Sequence, residues 1–233
     1  MTPPDAVALN LQAVNDEIRR ITIKCGRDPG SVRLVTVCKK VSIERIHRAI
    51  EGGASILGGN YIQEAGSKIE ILSGYPVEWH FIGHLQSNKA GTAVELFDLI
   101  HTVDSFKLAA ALNRHAAKKN KIQKILIQVN LSGEKTKSGA APETVENLVR
   151  KISDFHNIAV KGLMTLPPPA PDPEDARPYF RLLRRLAADL GKKAFRNVEM
   201  NELSMGMSAD FPPAIEEGAT LVRIGTAIFG ERG

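Results

Sequence analysis

Two adjacent lysines, Lys39 and Lys40, follow the apolar segment Val32–Cys38 and are the leading candidates for a nucleophile. Alternate residues of a strand face the same side, so Lys39 shares a side with Val35 and Val37 while Lys40 faces the other. Desolvation at the mouth of an apolar interior favours the neutral form of an amine, which can attack an aldehyde to form a Schiff base. Alternation leaves open which lysine points inward, and whether the pair is simply exposed.

The segment Ser204–Asp210 combines glycine with hydroxyl groups in a way that suits an anion. Ser204 and Ser208 can donate hydrogen bonds, and Gly206 permits tight curvature and a close approach of ligand to backbone. A helix beginning after the segment would add free amides, whereas the carboxylate of Asp210 opposes an anion unless it caps that helix. A capped loop without a ligand is the alternative.

The segment Leu221–Thr226 places Arg223 just before Gly225 and Thr226, an arrangement similar to a phosphate loop with a guanidinium beside it. Such a loop would bind a phosphorylated ligand. Together with the lysine pair, the two glycine-containing segments indicate a phosphorylated aldehyde, and pyridoxal phosphate (PLP) fits that description.

Eight short apolar segments alternate with amphipathic ones, and the alternation predicts parallel βαβ units. The predicted strands are Val32–Cys38, Ala54–Gly58, Glu78–Ile82, Leu99–Val103, Ile125–Val129, Ile158–Met164, Val198–Leu203 and Leu221–Ile224. Helices are predicted over the first 24 residues and over Ser42–Glu51, Tyr61–Leu72, Ser87–Phe97, Ser105–Lys119, Ala141–Phe155, Asp175–Leu190 and Pro213–Gly218.

Eight strands are the number that closes a (β/α)8 barrel, whose active site lies at the C-terminal ends of the strands and whose last two loops commonly bind phosphate. A doubly wound open sheet is the competing fold, but it normally carries a glycine-rich turn after its first strand, and this sequence has none there. We therefore predict an α/β fold with one barrel domain over residues 1–233, preceded by an extra N-terminal helix.

Composition narrows the class of protein further. The 233 residues are 43% hydrophobic and 24% charged, which excludes a disordered chain. Two cysteines make no disulfide framework, and no cluster has the spacing of metal ligands, so no metal site is predicted. The net charge is +5. The lysines and arginines cluster in predicted helical segments without aromatic residues between them, which disfavours nucleic-acid binding. No apolar stretch approaches the roughly 18 residues of a membrane span and no signal peptide is evident, so a cytoplasmic protein is expected.

The sequence closely resembles the pyridoxal-phosphate homeostasis protein family, also called the YggS/PROSC family. The matching motifs run in order along nearly the whole chain: Leu34–Lys39, Gly59–Glu64, Trp79–Lys89, Ile127–Gly133 with Lys137–Gly139, Gly162–Thr165, Leu203–Asp210 and Val222–Gly230.

The resemblance implies a PLP fold type III TIM barrel, like the N-terminal domain of alanine racemase without its second β-domain. It assigns the Schiff-base lysine to Lys39 and implies that Arg223 faces the pyridine nitrogen of the cofactor. The remaining residues implied to bind PLP are Ser204, Gly206, Met207, Ser208, Gly225 and Thr226 around the phosphate, and Asn60 and His80 along the cleft.

An arginine at the pyridine nitrogen disfavours a protonated ring. The resemblance therefore implies weak catalysis of amino-acid reactions and no robust enzyme activity. The expected function is a monomeric PLP carrier that buffers the cofactor or delivers it to PLP-dependent apoenzymes. The alternatives are a weak PLP-dependent racemase or lyase and, outside cofactor chemistry, a sugar-phosphate barrel enzyme. One departure from the family pattern is Gly59, which stands where an acidic residue is usual.

Overall fold

The computed structural model describes residues 4–134 and 138–231, in which strands and helices alternate. The strands are β1 (Arg33–Val37), β2 (Ile56–Gly59), β3 (Glu78–Phe81), β4 (Leu99–Val103), β5 (Gln123–Gln128), β6 (Ile158–Met164), β7 (Val198–Met207) and β8 (Leu221–Ile224). The helices are α1 (Pro4–Lys24), α2 (Ile43–Glu51), α3 (Ile62–Ile71), α4 (Ala90–Leu96), α5 (Phe106–Lys118), α6 (Pro142–Ile152), α7 (Arg177–Gly191), α8 (Phe211–Glu216) and α9 (Thr226–Phe229). Short 3₁₀ turns cover Ser87–Lys89 and Pro173–Ala176.

The eight strands form a closed parallel barrel in sequence order, because β8 pairs with β1. In that pairing Val35 lies opposite Arg223, which brings the first and last strands of the barrel together. The predicted (β/α)8 barrel is confirmed, and the open sheet is excluded. The additional helix α1 is also confirmed, and its apolar face packs against α2, α8 and α9.

Strand β7 is longer than the predicted Val198–Leu203 and contains Ser204 and Gly206, which the sequence pattern places after the strand. It continues to pair with β8 as far as Met207, opposite Arg223. The register shifts between Ser204 and Met207, where Gly206 has a φ of 90°. A β-carbon on Gly206 would lie 2.6 Å from the β-carbon of Ala214, so glycine allows this strand to pack closely on α8.

Apolar side chains fill two regions, one inside the barrel and one between the strands and the helices. The interior cluster consists of Val35, Ile56, Ile82, Leu99, Leu126, Met164 and Leu221. Buried polar side chains share that interior, among them His80, His101, Ser204 and Arg223. Among the described residues, no helix is both long and apolar enough to cross a membrane.

The two cysteines differ in their surroundings, which leads to a labelling prediction. Cys38 is buried, its thiol donates to the Thr36 carbonyl oxygen, and burial raises its pKa to about 12. Cys25 is partly exposed. Since the thiolate is the reactive form, iodoacetamide at pH 8 should label Cys25 in the native protein and Cys38 only after unfolding. Mass spectrometry of the peptides measures this, and equal labelling of both in the native protein would contradict it.

Candidate cofactor site

A cavity of about 410 Å³ opens at the C-terminal end of the barrel. Seven of the ten residues that we predicted to bind a cofactor line it: Lys39, Asn60, Met207, Ser208, Arg223, Gly225 and Thr226. The sequence did not identify its apolar lining, which Val37, Ile82 and Leu166 supply. Strand alternation indicates that Val37 faces inward, but Leu166 follows a strand end and carries no such signal.

The structure settles which lysine points inward. Val35 and Val37 face the barrel interior, and Lys39 continues that side of β1 into the cavity, where it is half-buried. Its Nζ lies 5.1 Å from the centroid of the Tyr61 ring. Lys40 is exposed and has a φ of 57°, so the chain turns away immediately after Lys39. Lys39 is therefore the amine available to a ligand in this cavity.

An ion pair on α3 fixes the backbone on both sides of Lys39. The Nζ of Lys68, which is buried, donates to the carbonyl oxygen of Cys38 at 2.7 Å and to Oε1 of Glu64 at 2.6 Å. The same Glu64 oxygen accepts from the backbone N–H of Lys40 at 2.6 Å. Burial raises the pKa of Glu64, but these hydrogen bonds and the charge of Lys68 outweigh it and lower the pKa overall. The i,i+4 spacing of Glu64 and Lys68 indicates an ion pair, but nothing in the sequence indicates that the pair hydrogen-bonds the backbone beside Lys39.

We expect Lys68→Met to destabilise the fold and loosen the turn that carries Lys39. Removing one partner of a largely buried pair leaves Glu64 without its charge partner and removes one of the hydrogen bonds to the Cys38 carbonyl, and we expect the free energy of unfolding to fall by about 2 kcal/mol. Urea denaturation measures the loss. The control is Lys192→Met, because Lys192 pairs with Asp189 at a fully solvated site and should change stability by less than about 0.5 kcal/mol. Equal effects of the two substitutions would contradict the role of the α3 pair.

Arg223 forms a buried cationic wall of the cavity. Its Nη1 donates to Oγ of Ser204 at 2.5 Å, and its Nη2 donates to the carbonyl oxygen of Thr165 at 2.9 Å. Burial lowers the pKa of Arg223 to about 10, with the nearby charge of Asp210 acting in the opposite direction. The guanidinium therefore stays protonated at neutral pH and acts only as a hydrogen-bond donor.

The ends of β7 and β8 bring hydroxyl groups and backbone together at one edge of the cavity. The hydroxyl of Ser208 accepts from the backbone N–H of Ala227 at 3.4 Å, which ties the two loops to each other. Asp210 accepts a hydrogen bond from the backbone N–H of Met207 at 2.6 Å, so its carboxylate stabilises the loop between β7 and α8. A β-carbon on Gly225 would lie 3.2 Å from that of Val37, and glycine thus lets β8 approach β1 closely beside the cavity.

Two predicted cofactor contacts lie elsewhere in the barrel. His80 lines a second cavity of about 260 Å³ at the N-terminal end, where its Nε2 is 3.4 Å from Oε2 of Glu78. The reason is the stagger of β3 against β4, since His80 lies opposite Leu99, the first residue of β4. Ser204 is fully buried beneath the cavity, between Arg223 and His101. Neither residue lines the cavity that contains Lys39, and the contacts of His80 with the cleft and of Ser204 with a phosphate stay predictions.

Gly206 and Gly59 contribute to packing outside the cavity. The position of a β-carbon on Gly206 faces Ala214 on α8, and the ligand contact at Gly206 stays a prediction. A β-carbon on Gly59 would lie 2.8 Å from the β-carbon of Ala65, so an acidic side chain could fit there only if α3 moved. Lys137, which belongs to one of the matching motifs, lies outside the described residues.

Comparison with known proteins places this barrel in a family. Residues 9–233 match the family described as alanine racemase, N-terminal domain. The pyridoxal phosphate homeostasis protein of Aquifex aeolicus is 43% identical over 222 residues, which cover 95% of this chain and 96% of that protein. The protein of the same name from Vibrio alginolyticus is 42% identical over 231 residues, covering 97% of this chain and 98% of the relative.

Solved structures agree with the sequence comparison. PipY from Synechococcus elongatus with PLP bound superimposes with a TM-score of 0.85 at 35% identity, covering 96% of this chain and 100% of that one. Alanine racemase from Corynebacterium glutamicum shares the fold, with a TM-score of 0.75 at 19% identity over 98% of this chain and 62% of the racemase. On this similarity along its length, the chain belongs to the pyridoxal phosphate homeostasis protein family, built on the alanine racemase N-terminal domain.

Proposed function

We propose that the chain binds PLP in the C-terminal cavity, as a Schiff base with Lys39, and acts in PLP homeostasis by buffering or delivering the cofactor. The observation that carries the proposal is that one cavity holds an amine, a buried guanidinium and two hydroxyl groups, from Lys39, Arg223, Ser208 and Thr226. When bound, PLP supplies an aldehyde that condenses reversibly with an amine. The names of the relatives and the PLP-bound PipY support this assignment.

The polar groups of the cavity fit such a ligand. The Oδ1 of Asn60 is buried without a hydrogen-bond partner among the described residues, and Asn60 lines the cavity, so a donor group of a ligand would satisfy it. Ser208 and Thr226 offer hydroxyl donors to the phosphate, with Met207 and Gly225 beside them. Apolar Val37 and Ile82 offer contacts to the ring.

Arg223 supports a carrier rather than a strong catalyst. A guanidinium that is charged at neutral pH can donate a hydrogen bond to the pyridine nitrogen but cannot accept its proton. The ring nitrogen therefore stays unprotonated, which weakens electron withdrawal from an attached amino acid. We infer a protein that holds PLP and turns over amino acids feebly, if at all. Amino-acid racemisation or elimination that Lys39→Ala abolishes would favour the alternative of a weak racemase or lyase.

Trapping with borohydride tests the assignment. The protein incubated with PLP should absorb in the visible region, and reduction should fix a pyridoxyl group on Lys39, located by peptide mass spectrometry. Lys39 is the one lysine among the described residues that line this cavity, so the map has one expected position. Absence of a label, or a label confined to another lysine, would overturn the proposal.

We further propose that residues 1–233 form one domain that acts as a cytoplasmic monomer and passes PLP to apoenzymes. The experiment mixes PLP-loaded protein with an apoenzyme, with and without a scavenger of free PLP. Activation that survives the scavenger supports direct delivery. Activation that the scavenger abolishes shows a buffer that releases PLP into solution, and light scattering of the same sample measures the oligomeric state.

A further inference from the structure

A continuous line of buried hydrogen bonds runs through the barrel from the cofactor cavity to the opposite end. Arg223 Nη1 lies 2.5 Å from Ser204 Oγ, and Ser204 Oγ lies 2.8 Å from His101 Nδ1. His101 Nε2 lies 3.0 Å from His80 Nδ1, and His80 Nε2 lies 3.4 Å from Oε2 of Glu78. A permanent cation thus stands at one end of the line and a carboxylate at the other.

The chemistry of the end groups fixes the direction of every hydrogen bond. Arginine has donors only, so the Ser204 oxygen accepts from it and the serine hydroxyl is free to donate to Nδ1 of His101. His101 then carries its proton on Nε2 and donates to Nδ1 of His80. His80 in turn carries its proton on Nε2 and donates to the carboxylate.

The reverse direction leaves unfavourable contacts at both ends. His80 would then carry its proton on Nδ1, and its bare Nε2 would face the Glu78 carboxylate, acceptor against acceptor. Ser204 would receive two donors, from Arg223 and from Nδ1 of His101, and its own hydroxyl proton would lose the histidine as an acceptor. Burial lowers the pKa of His80 and holds that of His101 well below its usual range, which keeps both rings neutral.

We propose that Glu78, His80 and His101 are positioning residues that act through Ser204 to fix the guanidinium of Arg223 at the cofactor cavity. By holding both histidines in the Nε2–H form, the carboxylate keeps the serine hydroxyl turned away from the guanidinium and its oxygen turned towards it. The effect on the cofactor rests on the proposed function, whereas the arrangement of protons does not.

The first test uses the protein without PLP and therefore stands apart from the proposed function. Long-range ¹H–¹⁵N NMR spectra of selectively labelled histidine should show His80 and His101 as Nε2–H tautomers at pH 7, assigned with single His→Gln variants. A neutral Nδ1–H tautomer at either residue, or a charged ring, would overturn the proposal.

The second test compares two carboxylates at the same end of the barrel. Glu78 is more than half exposed, so Glu78→Gln should fold, but its amide can donate as well as accept and no longer enforces one direction. We expect some Nδ1–H tautomer at His80 and a rise of about threefold in the dissociation constant for PLP, within the range for coupling through a network. Glu199→Gln is the control, because Glu199 lines the same N-terminal cavity but pairs with Lys161 outside the line.

Ser204→Ala breaks the line next to the guanidinium, and we expect it to raise the dissociation constant for PLP about tenfold, the scale of one lost hydrogen bond to a charged group. Circular dichroism checks that the variant folds. Unchanged PLP affinity in both Glu78→Gln and Ser204→Ala would overturn the positioning role. If the unaltered protein binds no PLP, the proposed function fails, while the tautomer result still decides the arrangement of the line.

Discussion

Lys39→Ala is expected to lose the covalent attachment of PLP completely, and Lys40→Ala is expected to keep it. The cavity contains the side chain of Lys39, whereas Lys40 leaves β1 in a left-handed conformation and is exposed. Without the first amine the aldehyde has no partner, although the phosphate and ring can still bind. Borohydride reduction followed by intact-mass and peptide analysis measures the attachment directly.

The comparison of the two lysines also controls for stability and charge. Each substitution removes one positive charge, and Lys39 is only half-buried, so neither should unfold the protein. Thermal unfolding of both variants verifies this. A pyridoxyl label that persists in Lys39→Ala, or that disappears in Lys40→Ala, would show that the lysine at the mouth of the cavity is not the point of attachment.

Gly83→Ala is expected to lower the free energy of unfolding by about 3 kcal/mol, the upper part of the range for overpacking. A β-carbon on Gly83 would lie 1.9 Å from the carbonyl oxygen of Asn60 and 2.7 Å from its carbonyl carbon. These atoms belong to backbone, which cannot rotate away as a side chain can. Because Asn60 also lines the cavity, the forced shift should weaken PLP binding in whatever fraction still folds.

Gly74→Ala is the matched control for that substitution. No heavy atom lies within 4 Å of the position that its β-carbon would take, so we expect a change in stability of less than about 0.5 kcal/mol. Urea denaturation of the two variants gives the difference. If Gly83→Ala proved as stable as Gly74→Ala, the close approach of Gly83 to the Asn60 backbone could not be rigid.

The alternation of strands was predictable from the sequence because parallel strands buried on both faces are almost continuously apolar. The inward direction of Lys39 was predictable in part, since the two-residue period of β1 places it with Val35 and Val37 once the interior side is known. The C-terminal ends of β2 and β8 likewise brought Asn60 and Arg223 to the cavity.

The height of a residue along the barrel axis was not predictable in the same way. His80 and Ser204 are both buried in the interior, but His80 lies level with Leu99, the first residue of β4, and Ser204 lies below the end of β7. Height depends on how far each strand is staggered against its neighbours, and the bulge at Gly206 lengthens β7 in a way that apolar patterning does not record. The hydrogen bond from Lys68 to the Cys38 carbonyl could not be predicted either. Every residue has a backbone carbonyl, so the sequence does not show which one accepts.

The pairing of β1 with β8 has a consequence for how the protein is made. Lys39 leaves the ribosome early and Arg223 late, yet both line one cavity because the first and last strands are neighbours. A nascent chain that lacks β8 has the amine but neither the guanidinium nor the Gly225–Thr226 edge. On the proposed function, capture of PLP in this cavity therefore requires that β8 has been synthesised and has paired with β1.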